Sequence, residues 1–149
     1  MLQESLLNNT GGTRVFLHTR NDEVIYINPE TRLSKNYNRF CGLIETLFRE
    51  RIITGEGREL MRMEKKSIEE LLGELNGRKM LLHQRGMPLA ERTCREDTVA
   101  VIGGFPHGDF SRNYEGMDRV SIADVEPTTW ATAMEVICWY KTLNNPVFV

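Results

Sequence analysis

Residues 99–110 read VAVIGGFPHGDF, and the architecture of the chain turns on them. Val99 to Ile102 form a short, uninterrupted apolar run. The run then breaks into Gly103-Gly104, Phe105-Pro106 and His107-Gly108, and no helical pattern follows directly. Two more runs of this kind, KMLLH (79–83) and RVSI (119–122), are likewise bounded by turn residues. Apolar runs without alternation suit strands covered on both faces, as in a parallel sheet, although periodicity alone does not separate short strands from helix fragments. Helical stretches between and after them make the expected class α/β. Ligands of such sheets bind where strands end at their carboxyl edge, and the elbow at 103–108 sits at one such edge.

The elbow is neither of the two common phosphate-binding loops. A dinucleotide fingerprint needs GxGxxG opening a helix, and a P-loop needs GxxxxGK[ST]. With no helix N-terminus directly behind it, the turn lacks the usual anion cradle. Paired glycines do allow main-chain N–H and C=O groups to touch a flat ligand. The plainer reading is a tight turn that uses glycine for its backbone freedom and proline for rigidity.

Upstream, RVFLH (14–18) and EVIYIN (23–28) are rich in β-branched and aromatic residues, and the TRND between them suits a β-hairpin. A helix is expected over 35–51 with Ser34 as its N-cap. It would gather Tyr37, Phe40, Cys41, Ile44, Leu47 and Phe48 on a core-facing stripe, with Lys35 and Arg39 on the opposite side. TGEGRE (54–59) reads as a glycine-punctuated loop. SIEELLGELNG (67–77) carries a capping box from Ser67 to Glu70 and ends at Asn76-Gly77. A last helix over 128–143, preceded by Pro127, is apolar nearly all round, so a second copy of the chain is a natural cover for whatever the sheet leaves open.

The chain has 149 residues, 40% hydrophobic and 27% charged, which suits one globular domain over 1–149. Its net charge of −2 excludes a uniformly basic polyanion binder. The charge is nevertheless segregated. Residues 32–66 carry nine Lys/Arg against five Glu, and residues 96–126 carry seven acids against two Arg. Arg32, Lys35 and Arg39 follow one another with no acid between them and would point together if the helix continued its winding upstream. Such an array is either a solvated face or a phosphate-contacting one. Cys41, Cys94 and Cys138 have no paired spacing, and His18, His83 and His107 have no metal-ligand spacing, so neither a disulfide framework nor a metal site is expected. The start, MLQESLLNNTGG, lacks a secretory pattern and no run is long enough for a membrane span, which points to a soluble, cytoplasmic protein. His107 has no identifiable nucleophile or carboxylate partner in the sequence, and a hydrolase reading lacks a GxSxG elbow.

Three segments at consistent spacing, FLHTRNDEVIYINPETRLSKNYNRFCGL, VIGGFPHGDF and VSIADVEPTTWA, closely resemble the Nep/Emg ribosome-biogenesis proteins, archaeal type, in order from about residue 14 to residue 140. These are SPOUT-class pseudouridine-N1 methyltransferases. The resemblance implies a parallel sheet whose C-terminal part is threaded into a trefoil knot, an exception to the usual absence of knots. It also implies a homodimer and an S-adenosyl-L-methionine site. Gly103 and Gly108 match family cofactor positions, and Ile122, Ala123, Asp124, Val125, Glu126 and Pro127 would form a second wall. Gln84, at the end of the strand 79–83, would lie near a third.

The family's RNA-contacting basic residues fall on Arg32, Lys35 and Arg39. The implied partner is a small-subunit ribosomal RNA hairpin with a pseudouridine turned out toward the methyl donor. No general base is assigned by the resemblance. Relatives often carry Pro-Arg where this chain has Ser34-Lys35, which keeps the charge without the bidentate fork. The family's N-terminal portion, with its Arg-Pro-Asp motif, is matched only by its tail. The sequence therefore reads as a fragment, a mis-started frame or a shortened relative, and the alternative function is a catalytically silent RNA-binding assembly factor.

Overall fold

The computed structural model describes residues 12–92, 96–105, 109–110, 114–124 and 127–144. The chain is built as two compact units, Met1–Glu74 and Leu75–Val149. Each has its own sheet.

The first unit contains an antiparallel sheet in the order β1-β2-β4-β3, formed by β1 (Val15–His18), β2 (Glu23–Ile27), β3 (Ile52–Gly55) and β4 (Arg58–Lys65). Strand alternation places Ile25 opposite Met63 and Ile27 opposite Met61. These four residues and Leu47 make a buried cluster. The expected loop at 54–59 is instead the meeting of two strands. Only Glu56 and Gly57 turn, both at positive φ (51° and 75°), as a two-residue hairpin connection requires. Arg, Glu, Met and Lys are weak strand formers, so β4 is held by pairing on both sides and by its inward Met61 and Met63 rather than by propensity.

Helix α1 (Tyr37–Glu50) begins two residues later than expected, and its cap is Asn36 rather than Ser34. The Arg39 N–H donates to Asn36 Oδ1 at 3.1 Å, while Ser34 Oγ accepts from the Asn36 N–H at 3.2 Å. Ser34 thus organises the turn before the helix. The core-facing stripe also needs correction. Leu47 is fully buried and Leu43 and Ile44 pack beside it, but Tyr37 is 77% exposed and Phe48 43% exposed. The helix ends at Arg51, whose φ is 65° and whose guanidinium meets the nearly buried Glu23 carboxylate at 2.6 Å.

Helix α2 (Ile68–Glu74) carries the expected capping box. The Ser67 N–H donates to Glu70 Oε2 at 2.8 Å and the Glu70 N–H donates to Ser67 Oγ at 3.2 Å.

In the second unit, β5 (Arg78–Pro88), β6 (Thr98–Val101) and β7 (Asp118–Ser121) form a parallel sheet in the order β6-β5-β7. All three apolar runs are strands. β5 is longer than expected because it resumes after an interruption: Leu82 and Met87 both pair with Val120, so residues 83–86 bulge out between them. A short 3-10 turn, Leu89–Glu91, follows. Helix α3 (Thr129–Asn144) supplies Val136 and Trp139 against a cluster of Met80, Leu82, Leu89 and Val120, and Trp139 Nε1 donates to the Arg92 carbonyl at 3.2 Å. Trp130, in its first turn, is 64% exposed. No helix among the described residues is long and apolar enough to cross a membrane.

Candidate functional site

The carboxyl ends of β6 and β7 and the start of the bulge within β5 open into one cavity of about 550 Å³ in the second unit. Its walls follow from the way each strand ends or is interrupted. β6 runs into Ile102 and Gly103, and the described residues that follow, 104–105 and 109–110, are not helical. There the Gly103 carbonyl accepts from Thr129 Oγ1 at 2.8 Å, which ties the elbow to the first turn of α3. β7 runs into a tight turn in which Ser121 Oγ donates to the Ala123 carbonyl at 2.7 Å. β5 contributes Leu82 and the start of its bulge, His83 and Gln84. Thr128, Thr129 and Thr132 close the site from α3 and the residue before it.

Of the residues singled out from the sequence, the structure brings Gly103, Ile122, Ala123, Pro127 and Gln84 to this one cavity. Asp124 is exposed and is not part of the lining. Gly108, Val125, Glu126, His107 and Cys94 lie outside the described residues.

The sequence reading missed two features. The first is an aromatic wall. Phe105 and Phe110 line the cavity with centroids 5.2 Å apart and rings at 90°, and Tyr114 continues the series at 5.3 Å from Phe110. A Cβ added at Gly103 would lie 2.9 Å from the tip of the Phe105 ring and 3.3 Å from that of Phe110. The glycine is thus what lets the rings fold over the elbow.

The second is a histidine–carboxylate pair. His83 Nε2 stands 3.0 Å from Asp109 Oδ2. The Arg85 N–H donates to His83 Nδ1 at 3.1 Å, so Nε2 is the ring nitrogen left to donate to the carboxylate. The Phe110 N–H donates to Asp109 Oδ1 at 2.7 Å. These donors, His83 foremost and then Phe110, hold the Asp109 carboxyl below the usual carboxylate range. No sequence signal joins positions 83 and 109. The bulge in β5 and the elbow after β6 make them neighbours.

Chemically, the site is a mixed apolar and main-chain cavity. Among the described residues that line it, Asp109 carries the one carboxylate and no lysine or arginine is present. A nucleotide phosphate would find no cationic side chain among the described lining residues. At 550 Å³ the volume lies within the usual range for small-molecule sites. The cavity serine and histidine are not joined as nucleophile and base, because Ser121 donates to Ala123 and His83 to Asp109. Among the described residues no group of three or more His, Cys, Asp or Glu could hold a metal ion.

The basic segment belongs to the first unit. Arg32, Lys35 and Arg39 are all exposed, and Arg32 Nη1 donates to the Pro29 carbonyl at 3.2 Å. The helical winding that would align the three does not extend upstream of Tyr37, because Ser34 and Asn36 hold the preceding residues in a turn. The cations instead line an irregular segment and the first turn of α1.

A family profile described as EMG1/NEP1 methyltransferase matches residues 1–141. The chain is 45% identical over 141 residues to the "Ribosomal RNA small subunit methyltransferase Nep1" of Thermococcus kodakarensis, an alignment covering 90% of this chain and 63% of the relative. It is 42% identical over 145 residues to the protein of the same name from Thermoplasma volcanium, covering 95% of this chain and 65% of the relative. The fold is similar to that in the crystal structure of Archaeoglobus fulgidus Nep1 bound to S-adenosylhomocysteine. The TM-score is 0.81 and the sequence identity 33%, with 95% of this chain and 66% of that one covered. The chain thus spans about two thirds of the length of these relatives.

Proposed function

The chain belongs to the EMG1/NEP1 methyltransferase family, and from that membership we propose that it is an S-adenosylmethionine-dependent methyltransferase of small-subunit ribosomal RNA that modifies N1 of a pseudouridine. One observation carries the reading. Elbow 102–105 and turn 121–123, sixteen or more residues apart in the chain, share a single cavity at the carboxyl edge of a parallel sheet. The relatives' names supply the substrate class, and the solved neighbour's bound S-adenosylhomocysteine supplies the cofactor class.

In this reading the adenosyl group rests against main chain at Gly103, Ile122 and Ala123, with Pro127 completing the wall. Gly108, Val125 and Glu126 belong to the same proposed binding set, as does Asp124 through its place in the second loop. When bound, S-adenosylmethionine supplies an electrophilic methyl group on a sulfonium. The chain's own task is to hold the acceptor base in line and exclude water. Arg32, Lys35 and Arg39 are assigned to phosphates of the RNA, where they set affinity and register rather than read sequence. The assignment includes the SPOUT-class trefoil knot in the second unit, a homodimer that covers the exposed side of α3, ribosome assembly as the setting and the cytoplasm as the place.

Titration of the folded protein with S-adenosylmethionine, followed by tryptophan fluorescence, is expected to give a saturable change. Trp130 adjoins Thr129, a cavity residue, and makes a local reporter. No binding by the folded protein would sink the enzyme reading and leave the silent RNA-binding assembly factor. Arg39→Ala is expected to weaken binding of a ribosomal RNA hairpin and to lower the slope of log affinity against log salt by about 1. Cofactor affinity should stay as it was. An equal fall in cofactor affinity would show that the cationic segment and the cavity do not act separately.

A further inference from the structure

The proposed reaction changes the charge of what the cavity holds. In methyl transfer the carbon–sulfur bond breaks with its electron pair remaining on sulfur, a carbon–nitrogen bond forms, and the nitrogen's proton leaves to water. The sulfonium becomes a neutral thioether. A site that holds the donor by shape alone would hold the product equally well.

This cavity has more than shape. Asp109 is its one carboxylate among the described lining residues, which include no lysine or arginine; the Arg119 cation acts on it from outside that lining, as a minor influence beside His83 and Phe110. The rings of Phe105 and Phe110 line the same cavity, and aromatic faces attract cations. Resting on the methyl-donor reading above, we infer that Asp109, held in place by His83 and sharing the cavity with Phe105 and Phe110, makes the site select the positively charged sulfonium over its neutral thioether product.

The geometry favours this role over that of a general base. Both Asp109 oxygens already accept a hydrogen bond, at 3.0 Å from His83 and 2.7 Å from Phe110. A carboxylate satisfied in this way is a poor proton acceptor. It is a fixed negative charge, and fixed charge distinguishes a cation from a neutral molecule without moving. His83 is the positioning residue. Its Nδ1 is anchored by the Arg85 N–H in the β5 bulge, so the bulge sets where the carboxylate stands. The Asp109 side chain is 68% exposed, so solvent screens part of its field. The expected preference is accordingly about tenfold, from carboxylate and rings together.

The test is isothermal titration of the full chain with S-adenosylmethionine and, separately, S-adenosylhomocysteine. The wild type is expected to bind the sulfonium compound about tenfold more tightly. Asp109→Asn should remove most of that preference by weakening the sulfonium compound alone. Phe110→Leu should remove a smaller part. Because asparagine cannot accept from both His83 and Phe110, a salt series on the wild type provides a second measurement. Raising ionic strength should erode binding of the sulfonium compound and leave the thioether unchanged.

Equal affinities in the wild type, or an equal loss of both ligands in Asp109→Asn, would overturn the inference; the equal loss would place the carboxylate on the amino group that both ligands share. In either case the methyl-donor reading stands. If the folded wild type binds neither ligand, that reading falls and takes this one with it.

Discussion

Gly86→Ala is expected to destabilise the second unit by about 3 kcal/mol, at the upper end of the range for overpacked sites. An added Cβ would lie 2.4 Å from the Val120 nitrogen, 2.5 Å from the Val120 carbonyl carbon and 2.6 Å from that of Arg119. All three atoms are backbone, so no rotamer change relieves the contact. Relief requires β5 to part from β7, and Val120 is fully buried in the cluster that joins them. Urea denaturation should show a lowered midpoint at unchanged slope. Gly104→Ala is the matched control, because nothing lies within 4 Å of its Cβ. It should lie within about 0.5 kcal/mol of the wild type. If the two variants behave alike, β5 does not return to Val120 after its bulge, and the positions of His83 and Gln84 fall with it.

Leu47→Ala is the corresponding expectation for the first unit, at about 3 kcal/mol, the middle of the range for a fully buried leucine. Leu47 is completely inaccessible and fills the space among Ile25, Ile27, Met61 and Met63. Phe48→Ala, one residue on, removes a larger side chain that is 43% exposed and should cost about 1 kcal/mol. Hydrogen exchange of the β2 and β4 amides would compare the two variants directly. Equal costs would mean that the helix presents the broad stripe inferred from its periodicity, Tyr37 to Phe48, and not the narrow one centred on Leu47.

That contrast shows what a helical wheel can and cannot say. Apolar spacing over 37–48 identifies a helix and the side it favours, because periodicity is a local property. How much of that side is covered depends on the width of the sheet beneath it, which local spacing does not contain. The N-terminus shows the same division. Ser34 and Asn36 are both good caps, and the choice between them rests on which side chain meets the Arg39 N–H once the chain has turned.

The parallel strands, the capping box at Ser67 and the elbow after β6 were legible in the sequence because each is carried by neighbouring residues: an apolar run, an S-x-x-E spacing, a pair of glycines. The family resemblance was legible for the same reason, three motifs in order. β4 was not, since its residues are poor strand formers taken singly and become a strand only between two partners. The β5 bulge was not, since it exists only where Leu82 and Met87 meet the same Val120.

The sequence by itself therefore determined the fold class, the family and the positions of the two loops proposed to face a ligand, all written in local spacing. Tertiary structure alone decided that those loops share one cavity, that Asp124 stays out of its lining, and that His83 and Asp109, 26 residues apart, stand 3.0 Å from each other. The physical reason is that pairing register and a strand's return after a bulge are set by contacts between distant segments, and these come into being only when the sheet closes.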